Sequence, residues 1–201
     1  MNTPTRPVFH CSARQRGFSL ITTLILLVIV SMLGISASQM VLMSERTTRF
    51  DRDSQIAFQA AEAALVDAEF DIQGPNAFAA QRMSLFAPKS VVNFISGCGT
   101  GPLRGLCERT EAPQKPVWYA VDFTDESANA KTVKFGEFTG RSFAVGTTGI
   151  RPEIAPRYIV EVIPDPTPTA SPADVLYRIT AMGFGPRKET QVVLQVVFRK
   201  A

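Results

Sequence analysis

The sequence predicts an α+β protein: one long N-terminal helix, half membrane-spanning and half amphipathic, packed on a C-terminal antiparallel β-sheet. Three observations predict it. From Phe18 to Met43 the chain carries no charge and is apolar on every side of a helix. From Ser44 to Gln73 there is neither Pro nor Gly, and small apolar residues recur at helical spacing. From residue 74 onward Pro, Gly and Phe become frequent and the apolar runs shorten to strand length.

The first stretch is long enough to cross a bilayer, which takes about 20 residues. Leu20, Ile21, Leu24, Ile25, Leu26, Leu27, Val28, Ile29, Val30 and Leu33 leave no solvent face, so the helix belongs in lipid or in protein. The head before it is basic, with Arg6, Arg14 and Arg16 and no acidic residue before Gly17. Under the positive-inside rule it stays in the cytoplasm, and everything beyond the helix lies outside the inner membrane. Those three arginines account for the whole formal charge of +3. The neutral remainder argues against a basic nucleic-acid-binding domain. His10, the single histidine, and Cys11 also lie in the head, leaving Cys98 and Cys107 as a pair. An even pair outside the cytoplasm usually oxidises.

The helix continues to Gln73, because Gly74-Pro75 is the first stop signal after the membrane segment. Glu45/Arg49 and Arg49/Asp53 fall at i,i+4 spacing and support an exposed helix. Ala57, Ala60, Ala61, Ala64, Leu65 and Ala68 form a stripe suited to close packing, with Gln59, Glu62 and Asp67 expected opposite. A helix from 18 to 73 spans roughly 84 Å at 1.5 Å per residue, of which the bilayer core takes about 30 Å. The rest is a stalk for a domain to pack on.

In the domain, residues 90–96 form a short strand or helix leading to Gly97-Cys98-Gly99. The segment between Cys98 and Cys107 is too rich in Gly and Pro to be regular. A disulfide closing it would contribute about 2–3 kcal/mol on the chain-entropy model. Without histidine the two thiols cannot complete a zinc site, and their spacing is not Cys-x-x-Cys, so a structural disulfide is expected. Strands are predicted at 117–123, 132–138, 142–145, 157–163, 175–182 and 191–199. The last alternates, with Val192, Leu194, Val196 and Phe198 on one face, and pairs with its predecessor as an antiparallel hairpin across 183–189. The proline-rich stretch 164–172 reads as a stiff exposed loop. Trp118, Tyr119, Phe135 and Phe138 are expected in the core.

No enzymatic constellation is present in the sequence beyond the head. It lacks histidine and so has no Ser-His-Asp or Cys-His arrangement. Asp122, Asp125 and Glu126 read as a solvated turn, and neither EF-hand spacing nor a phosphate-binding Gly-rich loop occurs. No catalytic, cofactor-binding or metal-binding residue is predicted.

Three readings fit the head and the apolar run: an uncleaved signal anchor, a secretory signal cut after Ser36-Ala37-Ser38, or a cut between Gly17 and Phe18. The third rests on resemblance. Arg14-Gln15-Arg16-Gly17-Phe18-Ser19-Leu20, leading into a long apolar helix, resembles the class III signal of type IV pilins and pseudopilins. That resemblance implies cleavage by a prepilin peptidase after Gly17 and N-methylation of Phe18. Asp53-Ser54-Gln55-Ile56-Ala57-Phe58-Gln59-Ala60-Ala61-Glu62-Ala63-Ala64-Leu65 is similar to the signature of the PilX family of minor pilins. Pro156-Arg157-Tyr158-Ile159-Val160-Glu161 and Tyr177-Arg178-Ile179-Thr180-Ala181 resemble the family's "P-R-Y-I-I-E" and "Y-R-I-T-A-x-G" stretches.

The resemblance implies a type IV pilin-like fold with a leader (1–17), a filament-core helix (18–43), a stalk helix (44–73) and an exported domain (74–201). It implies a minor pilin in the inner membrane with a periplasmic domain, later in the pilus near the tip. Its implied partners are other minor pilins, the major pilin, a PilY-type adhesin, the prepilin peptidase and membrane lipid. Assembly priming, twitching motility and adhesion follow from that. The chain departs from major pilins at Thr22, where they carry Glu. A tip-type pseudopilin of type II secretion, which also lacks that acid, is the first alternative. A membrane-anchored periplasmic binding domain outside any filament is the second.

Overall fold

Helix α1 runs without a break over Phe18–Gln73 in a computed structural model that describes residues 18–74, 80–86, 91–146, 149–167 and 175–200. It ends at the predicted place. Gly74 adopts φ 78° and donates its N–H to the Phe70 carbonyl at 2.9 Å, a left-handed cap that favours a residue without Cβ. Pro75 and residues 168–172 of the proline-rich loop lie outside the described residues.

The chain divides into two units, Met1–Thr48 and Arg49–Ala201. The first is described from Phe18 onward and is helix alone. Its large apolar side chains from Leu20 to Met43 are all exposed, and among the described residues this is the one helix long and apolar enough to cross a membrane. Its hydroxyls turn back on their own helix: Thr23 to Ser19, Ser31 to Leu27, Ser36 to Met32 and Ser38 to Gly34, each to a carbonyl oxygen at 2.7–3.0 Å. Each of these hydroxyls is thereby satisfied within the helix itself.

The second unit holds a sheet in the order β1-β3-β4-β5. Its strands are β1 (Leu106–Cys107), β2 (Val133–Lys134), β3 (Arg157–Pro164), β4 (Val175–Phe184) and β5 (Gln191–Phe198). β3 pairs with β4 from Arg157↔Met182 to Pro164↔Val175, and β4 with β5 from Tyr177↔Phe198 to Phe184↔Gln191. β2 adds antiparallel to the outer edge of β3. The sheet is nevertheless mixed rather than antiparallel throughout. The chain returns from the disulfide loop running with β3, so that Leu106 faces Val160 in parallel and Gly105 accepts the Val160 N–H at 2.7 Å.

The three long C-terminal strands lie where the sequence places them; the earlier three do not. Residues 117–120 form a single helical turn, α3 (Val117–Ala120), entered through Pro116, with Val117 alone buried. The strand expected at 132–138 shrinks to β2 because the chain turns at Gly136, whose N–H is taken by Asp67. Residues 142–145 make no strand. Residues 91–96 form a turn, with Ile95 bridging to Cys107. The other short helical segments are α2 (Ala80–Met83) and a 3₁₀ turn at Gly101–Leu103 within the disulfide loop.

The core has two parts, one on each side of β3. On the helix side, Ala64, Ala68 and Ile72 pack with Val133, Tyr158, Val160, Ile179 and Ala181. Phe86, Phe94 and Tyr177 join them as a ring cluster with centroids 5.6–6.2 Å apart. On the other side Ile159 and Phe184 meet Cys98, Cys107, Val117 and Phe123. β3 is covered on both faces, so Arg157 to Val162 are all buried, whereas β5 alternates half-buried and exposed as predicted. The alanine stripe is buried as predicted, with Leu65 half-buried at its margin. Phe135 is buried, and Trp118 and Phe138 pack partly buried against the two parts. Tyr119 is 63 % exposed, contrary to expectation, because the single turn of α3 points it away from Val117.

Candidate functional site

At the head of α1, Phe18 is the first helical residue, while Gly17 and the rest of the leader lie outside the described residues. Thr22, where major pilins carry an acid, donates its hydroxyl to the Ser19 carbonyl at 2.9 Å. That helix end therefore presents an uncharged position. Farther along, Cys98 and Cys107 are joined in a disulfide whose two residues are buried. It ties the start of the 98–107 loop to β1, and through β1 to the centre of the sheet.

The two stretches that resemble the family's are hydrogen-bonded neighbours, β3 and β4. Glu161 stands opposite Arg178 and accepts two bonds from its guanidinium, at 2.8 and 3.0 Å. Arg157 donates from Nε to the Thr132 hydroxyl at 2.6 Å and from Nη2 to its carbonyl at 2.8 Å, anchoring the segment before β2. Burial lowers the Arg157 guanidinium below its usual range. Each charged residue of these strands thus holds a neighbouring segment.

Three acids of the stalk helix, Asp53, Asp67 and Asp71, are buried, and the sequence gives no direct sign of any of them. Asp67, expected on the solvent side with Gln59 and Glu62, is fully enclosed. It accepts the Gly136 N–H at 2.8 Å and the Thr139 hydroxyl at 2.5 Å, with Arg141 3.6 Å away. The turn at 136–141 has folded down over it. Asp71 receives the Nε of Arg82 at 3.2–3.3 Å and the Tyr158 hydroxyl at 3.0 Å. Arg82 also donates to the Arg104 carbonyl at 2.6 Å and to the Pro102 carbonyl, and lies over the Phe138 ring at 4.1 Å. One guanidinium thereby joins the stalk, the disulfide loop and the turn after β2. At the other end of the stalk Asp53, predicted to pair with Arg49, is buried beside Arg52 at 3.1 Å and Arg187 at 3.7 Å.

Burial raises the Asp67 and Asp71 carboxyls above the usual carboxylate range, more than their hydrogen bonds and arginines lower them. An acid whose folded pKa exceeds its unfolded one holds its proton more tightly in the folded state. These two groups therefore stabilise the fold more as pH falls from neutrality toward the unfolded carboxylate value. Asp67→Asn should flatten that part of the profile. Thermal unfolding of both chains between pH 7 and pH 4.5 checks it, and the wild type should gain on the variant as the pH drops.

No cluster of three potential metal ligands occurs among the described residues. Asp122 and Asp125 accept N–H groups of Thr124 and Ser127 two residues on, and act as turn residues. What the molecule offers is an exposed apolar helix, a cross-linked loop and a braced sheet.

Two family models match it. The PilX N-terminal model covers residues 16–66, and the model described as type IV pilus assembly protein PilX C-term covers residues 75–200. The chain belongs to the PilX family. It is thus a type IV pilus assembly protein with the pilin arrangement of a long N-terminal helix packed on a sheet. PilX proteins are structural pilus components, and the first match begins at Arg16, just ahead of Gly17 and Phe18. Comparisons with curated proteins and with solved structures gave no match.

Proposed function

We propose that the protein is a minor pilin of the priming complex at the pilus tip, where it acts with other minor pilins and a PilY-type adhesin and supports twitching motility and adhesion. The observation that carries this is the PilX match over both the helix and the globular domain. In this reading a prepilin peptidase cuts between Gly17 and Phe18, and Phe18 is N-methylated. The apolar half of α1 waits in the inner membrane with the domain in the periplasm, then exchanges lipid for protein neighbours in the filament core. Thr22 supports the tip position: a subunit with none above it has no neighbouring terminal amine to neutralise, and a buried acid there would be costly.

The N-terminal mass of the protein from its native envelope tests the pathway, and a chain beginning at methylated Phe18 is expected. An intact Met1, or a start at Gln39, would sink the proposal. Deletion should abolish pili and leave exoprotein secretion intact, whereas the reverse would assign the chain to a type II secretion pseudopilin. Recovery evenly along sheared filaments would count against the tip.

A further inference from the structure

We infer that the free edge of β5 is a strand-addition site, where an extended segment of a different polypeptide, apolar at alternate positions, joins the sheet. The hairpin fixes which backbone groups face outward. Gly185 donates its N–H to Thr190 at 2.8 Å, so residues 192, 194, 196 and 198 point their N–H and C=O groups at β4. The backbone groups of Gln191, Val193, Gln195 and Val197 point away from the sheet and meet no partner among the described residues. All four side chains are exposed as well, Val197 at 54 %.

Sheet edges left open in this way are normally blunted by short length, charge, proline or a bulge. β5 has none of these. It is 8 residues of uncharged sequence, half of them valine, in uninterrupted register. The opposite edge of the same sheet is protected: β2 and β1 cover Tyr158 and Val160, and β3 ends in Pro164. One edge is closed and the other left as a template.

A second copy of this chain does not fit. Antiparallel β5–β5 pairing places a two-fold axis through the joined sheet and reverses the direction of the stalk helix. The two stalk helices, each leading back to its own N terminus, would then run in opposite directions, which two chains anchored in one membrane cannot do. Stacking β5 on the far edge of the next copy fails because that edge is covered. The occupant is therefore a strand of another protein. Beside the β5 edge, Asp51, Ser54, Gln55 and Phe58 of α1 line a groove with Val192, and Phe58 is 43 % exposed there. A strand laid along β5 with apolar residues at alternate positions would cover Phe58 while its backbone pairs with the four open residues.

Excluding a second copy rests on the membrane anchoring of the proposed function; the edge itself does not. In the full chain purified in detergent, the amides of Val193, Gln195 and Val197 should exchange at least tenfold faster than those of Leu194 and Val196. In the complex extracted intact from the native envelope, the first three should slow at least tenfold. Equal exchange in the two samples would overturn the inference. Val193→Pro with Val197→Pro removes two outward N–H groups and no ladder bond, whereas Val193→Thr with Val197→Thr keeps both. The proline pair should lose the native complex and the threonine pair should keep it. A folded proline pair that is recovered in the complex like wild type would also overturn the inference. If the proline pair does not fold, the exchange comparison on the unaltered chain decides. An N terminus other than methylated Phe18 would sink the pilus reading without moving these amides, so the two failures are distinguishable.

Discussion

Gly183→Ala should destabilise the protein by about 3 kcal/mol, the upper end of what overpacking a well-filled core costs. A Cβ on Gly183 of β4 would run into the Ala57 carbonyl and the Ala61 backbone of α1, with the Ala61 Cα 2.9 Å away. Those atoms are main chain and cannot rotate aside, so β4 and the stalk must separate. The alanine stripe lets the helix come this close, and Gly183 is its counterpart on the sheet. Thermal unfolding of the full chain in detergent reads the effect as a large fall in midpoint. Gly101→Ala supplies the comparison: its added Cβ meets nothing within 4 Å, and the left-handed backbone there carries the only penalty. A small effect at Gly183, equal to that at Gly101, would show that the helix does not rest on β4 in this way.

Arg82→Ala should cost about 3–5 kcal/mol, because it leaves a buried carboxylate without its charge partner. Asp71 would keep only the Tyr158 hydroxyl, and the Pro102 and Arg104 carbonyls would each lose a donor. Replacing both partners by apolar residues, Asp71→Leu with Arg82→Met, should cost less than Arg82→Ala alone, since no orphaned charge remains. Denaturation of the single and double variants checks the order. A double variant that loses the sum of two single losses would mean that the pair acts as two independent groups.

The legible parts of the fold were those written in local periodicity. The alanine stripe at 57–68 and the alternation of Val192, Leu194, Val196 and Phe198 repeat with the period of their elements, and the stop at Gly74 is a local signal; each is where the sequence puts it. What escaped is set by partners far away in the chain. Asp67 reads as a solvent residue by its charge, and only the turn carrying Thr139, 72 residues later, makes it internal. Val117 to Phe123 has strand composition but finds no open edge beside β3, which β1 and β2 already occupy. Gly183 falls at the glycine of the family's "Y-R-I-T-A-x-G" stretch, yet its purpose is visible only once β4 lies on α1. Of the predicted site residues, Cys98 and Cys107 are joined as expected from their even number, while Gly17 falls outside the described residues.

The stalk face that anchors the core is synthesised first and covered last. Tyr158 reaches Asp71 across 87 residues, and Gly183, which seats β4 on Ala57 and Ala61, comes later still. Until the C-terminal hairpin has been made, the alanines and Ile72 have no sheet to lie against. Such long loop closures slow folding. They also leave the stalk face of Ala57, Ala60, Ala61, Ala64 and Ala68 uncovered until the hairpin arrives. Alanine side chains carry little apolar area each, so the residues that permit the final close fit also keep small the apolar surface that this face leaves open in the interval.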